Sequence, residues 1–243
     1  MNKLIFDSKF IVRRGLRAFP KFYLRVSQLR SRPNHSYLAG VEALFPDTEI
    51  LITGLPRTGN SFATNAFRLA QDRPVRIAHH EYPPPQIVGA ARHGIPALLI
   101  VRDPDDVAVS RVVSHPPLTL KQALIDFVQC YTAVMPWSEH FVLATFPEIV
   151  TDFGLVTRRV NGKFKTDFRE FQHTDENVSR AFDLIDDRYN AMSPEAKQTF
   201  GFKVARPSSD RDQAKGRIFH ELESAKLAPL RTEARAVFRT LTN

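Results

Sequence analysis

Residues 50–62 constrain this chain more than any other stretch, because Ile50-Leu51-Ile52-Thr53-Gly54-Leu55-Pro56-Arg57-Thr58-Gly59-Asn60-Ser61-Phe62 reads as a buried strand feeding a helix through a tight turn. Gly54 and Gly59 permit the narrow backbone path and Pro56 sets the turn. The N–H groups of Arg57, Thr58, Gly59, Asn60, Ser61 and Phe62 can then converge on one anion at the helix N-terminus. A strand that ends this way belongs in a parallel sheet whose carboxyl edge receives a phosphate-bearing ligand.

The spacing is close to the triphosphate-binding pattern G-x-x-x-x-G-K-[ST], in which the Lys reaches the terminal phosphates and the hydroxyl residue holds magnesium. Asn60 stands at the Lys position, and the positive charge has moved into the loop, to Arg57. The sequence therefore keeps an anion cradle and lacks the ATPase machinery.

A second strand-to-helix junction lies at Ala97-Leu98-Leu99-Ile100-Val101 followed by Arg102-Asp103-Pro104-Asp105-Asp106-Val107-Ala108-Val109-Ser110. Asp103 suits the N-cap, Pro104 the first helical position, and Asp105 and Asp106 the positive end of the helix dipole. Arg102 falls at the strand's carboxyl edge. Ser110 lies two turns beyond the cap on the same side of the helix, so the two side chains can share one phosphate. Asp106, one turn before Ser110, would repel that phosphate unless it is paired or turned away.

Together these segments resemble the P-loop sulfotransferases, which take a sulfuryl group from 3′-phosphoadenosine-5′-phosphosulfate (PAPS). The family's 5′-phosphosulfate loop, Pro-Lys/Arg-Ser-Gly-Thr-Thr, is matched by Pro56-Arg57-Thr58-Gly59-Asn60-Ser61. Its 3′-phosphate segment, an Arg, then Pro two residues on, then Asp-Val-Ala-Val-Ser, is matched by Arg102, Pro104 and Asp106 to Ser110. The family carries an acid where Asp106 stands. The likeness is good over residues 48–115 and loose beyond. It implies PAPS as co-substrate, no metal, Arg57 and the loop amides on the 5′-phosphosulfate, and Arg102 with Ser110 on the 3′-phosphate.

An attacking hydroxyl must also lose a proton, and His suits that work near neutral pH. Val75-Arg76-Ile77-Ala78 alternates like a half-buried strand and runs into His79-His80-Glu81-Tyr82 and three prolines. Adjacent strand residues point to opposite faces, so one of the two His should reach the cleft. The family keeps its catalytic His just after this strand, which assigns the base to His80 first and His79 second. The late segment Arg206 to Arg217 is similar to the family's basic 3′-phosphate segment only at Lys215-Gly216. Within it Arg211 is the expected contact.

The remaining chain fits one α/β domain of three layers, a central parallel sheet with helices on both faces, plus a basic N-terminal helical arm over residues 1–45. Helical spacing is expected over 118–135, 177–192 and 218–241, the last interrupted at Pro229. Residues 141–145 read as a fourth strand and 161–175 as a loop. With 243 residues, 43% of them hydrophobic, one substantial core is affordable to the chain. Cys130 is the one cysteine, so no intramolecular disulfide forms, and the scattered His residues lack ligand spacing for zinc.

The net charge of +8 sits in the arm: residues 1–32 hold nine Lys or Arg and one acid, Asp7. Phe19, Phe22, Val26 and Leu29 form an apolar stripe opposite Arg14, Arg17, Lys21 and Arg25. Pro20 can begin this helix or break one. The stripe is expected to dock on the domain with the basic side in solvent. An anionic membrane surface is the other partner the arm fits. No nucleic-acid motif is present, and no apolar run is long enough for a signal peptide or a membrane span, which reads as a cytoplasmic protein, peripheral to a membrane if the arm binds one.

The acceptor remains open among sugar, lipid, phenol, peptide and other alcohols or amines, as does the oligomeric state. Three competing functions stand beside transfer: a small-molecule kinase, a nucleotide-binding protein without turnover, and a membrane-surface adaptor.

Overall fold

The computed structural model describes residues 15, 19–31, 43–115, 117–191 and 209–243. Arg206 and most of the first eighteen residues lie outside that set. The elements in chain order begin with α1 (Pro20–Ser31), β1 (Ile50–Gly54), α2 (Asn60–Ala70), β2 (Ile77–His79), α3 (Pro83–His93), β3 (Ala97–Val101) and α4 (Pro104–Ser114). There follow α5 (Leu120–Val134), a 3-10 turn over Met135–His140, β4 (Val142–Thr145), α6 (Phe146–Thr151), α7 (Phe153–Phe164), α8 (Asp175–Asn190), α9 (Ser209–Leu222) and α10 (Ala228–Thr242).

The four strands form a wholly parallel sheet in the order β2-β1-β3-β4. Both faces are covered, which is why β1 and β3 are continuous apolar runs rather than alternating ones. Leu51, Leu99 and Val101 face a core built with α3, α4, α5 and α10, while Ile50, Ile52, Leu98 and Ile100 face a second core built with α2, α7 and α8. The expected three-layer α/β architecture is the one observed.

Three sequence expectations are corrected. Residues 161–175 are not wholly a loop, because α7 runs to Phe164: Asp152 caps its Leu155 N–H at 3.0 Å, and Phe153, Val156 and Val160 bury one stripe. The late basic segment is helical from Ser209, not from Ile218. The break expected at Pro229 falls just before it, at residues 223–227, and Pro229 stands in the first turn of α10, where its missing N–H costs nothing. The proline run 83–85 likewise opens α3.

Pro20 begins α1 rather than breaking it. The basic side of α1 faces solvent as expected, but the apolar stripe does not dock on the domain. Tyr23 donates to Glu81 at 3.0 Å, Ser27 to the same carboxylate at 3.2 Å, and Gln28 to the Leu44 carbonyl at 2.6 Å. Leu24 packs where a side chain on Gly89 would have to sit. Phe19, Phe22 and Leu29 are more than half exposed. Anchoring polar groups to the buried Glu81 outweighed burial of the apolar stripe.

Helix α10 is tied to α4 through Asp105, which accepts from Arg231 at 2.8 Å and also from Arg235. Burial alone would raise the Asp105 pKa, but the hydrogen bonds and charges of Arg231 and Arg235 outweigh it and hold the carboxyl below its ordinary 3.8. A depressed folded-state pKa means the tie is fully present above 3.8 and is lost as pH falls through the folded value. Asp105→Asn is expected to cost about 2 kcal/mol at neutral pH. Thermal melts taken between neutral and acid pH should then show a shallower acid decline for the variant than for the parent; an identical decline would remove Asp105 as its source.

Candidate functional site

The loop after β1, the His pair after β2 and the Arg102 segment lie at the carboxyl ends of β1, β2 and β3. The turn after β1 is closed from within. Asn60 donates its side-chain amide to the carbonyls of Gly54 (2.8 Å) and Leu55 (3.2 Å), and the buried Thr58 hydroxyl donates to Leu55 at 2.8 Å. Asn60 therefore buckles the loop where a Lys would have reached out, and Thr58, whose N–H also goes to Leu55 at 3.3 Å, is structural. The Phe62 side chain is in the core.

Gly54 has no room for a Cβ, which would lie 2.5 Å from both the Ile100 carbonyl and the Thr58 hydroxyl. Gly59 is the N-cap of α2 at φ 103°, with no side chain capping the helix. The first-turn amides of Asn60, Ser61 and Phe62 thus carry the positive end of α2 without a side-chain acceptor from the cap.

Beyond the loop, Tyr131 of α5 bridges the carboxyl ends of β1 and β3. Its hydroxyl donates to the Ile100 carbonyl at 2.9 Å and accepts from the Leu55 N–H at 3.3 Å, one residue past the last ladder pair, Gly54 with Ile100. Burial pushes the phenol well above its ordinary value, so it remains a donor.

The loop after β1 and the segment after β3 meet directly. Arg57 Nε donates to Ser110 Oγ at 2.9 Å, and this leaves the hydroxyl proton of Ser110 to donate elsewhere. Arg102 donates to Asp106 from Nε (3.1 Å) and Nη2 (2.8 Å), and its guanidinium lies 4.1 Å from the centre of the Phe146 ring. Phe146 in turn packs against Gly59. Asp106 is thus paired, which removes the repulsion its sequence position suggested.

On the other side of the loop, Ser61 Oγ is 3.0 Å from His80 Nε2, His80 Nδ1 is 2.6 Å from His79 Nδ1, and His79 Nε2 is 3.0 Å from Arg68 Nη2. This row of contacts is compatible with one ordering of the protons. An arginine only donates, so His79 Nε2 accepts and His79 holds its proton on Nδ1. His79 therefore donates to His80 Nδ1, and the proton of a neutral His80 is on Nε2, facing the loop. That tautomer presents an N–H to the loop, where the base role expected for His80 calls for a lone pair. His79 is buried, with both ring nitrogens engaged away from the loop, and its expected second place as base is likewise not what the geometry offers.

Among the described residues, three other than glycine have positive φ: Arg57 (79°), His80 (62°) and Lys165 (57°). Such a conformation costs on the order of 1–3 kcal/mol for a side-chain-bearing residue and gathers at sites where geometry matters more than stability. Two of the three are here.

Arg211 lies in α9, which packs against α4, at a position where only the backbone is described. Sequence reasoning missed Tyr131, Phe146, Arg68, Arg231 and Arg235. Arg68 was accessible, since it sits seven residues after Ser61 on the same face of α2. The others carry no local signal and are brought in by the fold. Among the described residues there is no group of three or more His, Cys, Asp or Glu placed to hold a metal, and no helix long and apolar enough to cross a membrane.

The layered parallel sheet and the loops along its carboxyl edge define the class of this chain as an α/β protein with a candidate anion site. The sequence matches no protein-family model and no curated protein. Among solved structures it is similar to mouse sulfotransferase SULT7A1 complexed with PAP, at 14% identity over 80% of this chain and 91% of that one, with a TM-score of 0.40. Likeness at that level identifies neither a reaction nor its residues.

Proposed function

We propose that the chain is a sulfotransferase that carries a sulfuryl group from PAPS to a hydroxyl or amine of an acceptor. The observation that carries this reading is the 2.9 Å bond from Arg57 to Ser110, which joins the loop after β1 and the segment after β3 into one grip. The family's motifs place the 5′-phosphosulfate on the first and the 3′-phosphate on the second. The glycine-lined turn and the uncapped start of α2 suit the first of these groups.

In this mechanism the amides at the start of α2 and the Arg57 guanidinium hold the phosphosulfate, and Arg57 neutralises charge that builds on the leaving oxygen. Arg102 and Ser110 hold the 3′-phosphate, with Phe146 keeping the Arg102 plane in place. His80 hydrogen-bonds through its Nε2–H to a phosphosulfate oxygen beside Ser61, and the acceptor's proton passes to solvent as its bond to sulfur forms and the bond from sulfur to the 5′-phosphate oxygen breaks. A sulfuryl group carries less negative charge than a terminal phosphoryl group, so amides and one Arg suffice where kinases use magnesium.

Calorimetry with adenosine 3′,5′-bisphosphate and with ATP–magnesium tests the assignment. The bisphosphate should bind and ATP–magnesium should bind far more weakly. Preference for ATP would point to a kinase and overturn the proposal. Binding of the bisphosphate with no transfer from labelled PAPS across an acceptor screen would leave a nucleotide-binding protein without turnover.

A further inference from the structure

Helix α1 leaves most of its apolar stripe in solvent. Its domain side is held by hydrogen bonds from Tyr23, Ser27 and Gln28 and by Leu24 packed on the core, while Phe22 and Leu29 stand on the solvent side at 56% and 63% exposure. Phe19, just before the helix, is 67% exposed. Three of the five large apolar side chains that stand exposed among the described residues fall on this stretch. The same outward side carries Lys21 and Arg25, both exposed, and no acidic residue occurs in the helix.

Folding does not require this arrangement. A helix docked by polar contacts gains nothing from aromatic and aliphatic groups in water, and the chain could have satisfied the same hydrogen bonds with a polar outer face. A medium that rewards both features is a lipid headgroup layer, where apolar side chains enter the acyl boundary while Lys and Arg remain with the anionic headgroups. A soluble polyanion would reward the charges alone. The surplus of nine basic residues to one acid over residues 1–32 adds the charge complementarity.

We propose that the outward face of α1 is a docking surface for an anionic membrane, lying in the interface with Phe19, Phe22 and Leu29 inserted and Lys21 and Arg25 at headgroup level. The surface is independent of the transfer reaction. It is nevertheless close to the candidate site, since the inner face of α1 grips Glu81, the residue after His80.

The test uses the full chain and vesicles of phosphatidylcholine, either alone or mixed with phosphatidylglycerol, in co-sedimentation at low and high salt. Binding to the anionic vesicles should exceed binding to the neutral ones by about tenfold or more. Phe22→Ser/Leu29→Ser should lower it by about tenfold, and Lys21→Gln/Arg25→Gln should reduce its salt dependence measurably. These positions face solvent, so far-UV circular dichroism should be unchanged. As a second readout, Trp emission of Phe22→Trp should shift to the blue on anionic vesicles. Equal binding by the Phe22/Leu29 double variant, or displacement from vesicles by inorganic polyphosphate together with an unshifted Trp, would overturn the proposal in favour of a purely electrostatic partner.

Discussion

Arg57→Ala is expected to slow the proposed sulfuryl transfer by about a hundred- to a thousand-fold, the usual loss when one oxyanion donor is removed. The loss should fall on turnover more than on nucleotide affinity, because the charge Arg57 meets grows only as the bond to the leaving oxygen lengthens. Alanine is also poorly suited to the left-handed backbone at this position, where φ is 79°. Arg57→Gly separates the two effects, since glycine adopts that conformation without strain but carries no charge. The glycine variant should be as slow as the alanine variant while its folding stability is equal to or above the parent's. Turnover at parental rate in the glycine variant would remove Arg57 from the mechanism.

A comparably large effect is expected on stability from Asp126→Ala. Arg111, next to Ser110 on α4, donates to Asp126 of α5 at 2.7 Å, and the two side chains are 8% and 1% exposed. Removing the acid strands a buried guanidinium, and the expected cost is about 3–5 kcal/mol, a large part of a typical domain's stability. Urea denaturation measures it directly. Replacing both partners with apolar residues of similar size, as in Arg111→Met/Asp126→Leu, should recover most of the loss, because the pair's desolvation then disappears along with its attraction. A single variant within about 1 kcal/mol of the parent would show that the pair is not what fastens α4 to α5.

These two positions show how unevenly the chain discloses itself. The strands and the first helical turns at residues 50–62 and 97–110 were legible because local chemistry writes them: apolar runs for a sheet covered on both faces, an Asp-Pro cap for α4, glycines for the turn. Arg57 and Ser110 were each visible, though nothing in their spacing of fifty-three residues announces a bond between them. The proton arrangement of His79 and His80 was hidden for a different reason. It is set by Arg68, a helix residue whose relevance appears only when α2 is laid beside β2. The outward face of α1 was misread because a stripe of Phe, Val and Leu is ordinarily the buried one. What decided the matter was Glu81, a buried carboxylate 54 residues beyond Ser27 that needed donors.

One phenol hydroxyl bridges the backbone just beyond β1 and near the end of β3, the two strands whose loops form the grip. Tyr131 therefore acts as a gauge block: the gap between the halves of the clasp is machined by the hydrophobic interior, ahead of any ligand. The nucleotide proposed to bind there would surrender less ordering entropy than at loops that must find each other.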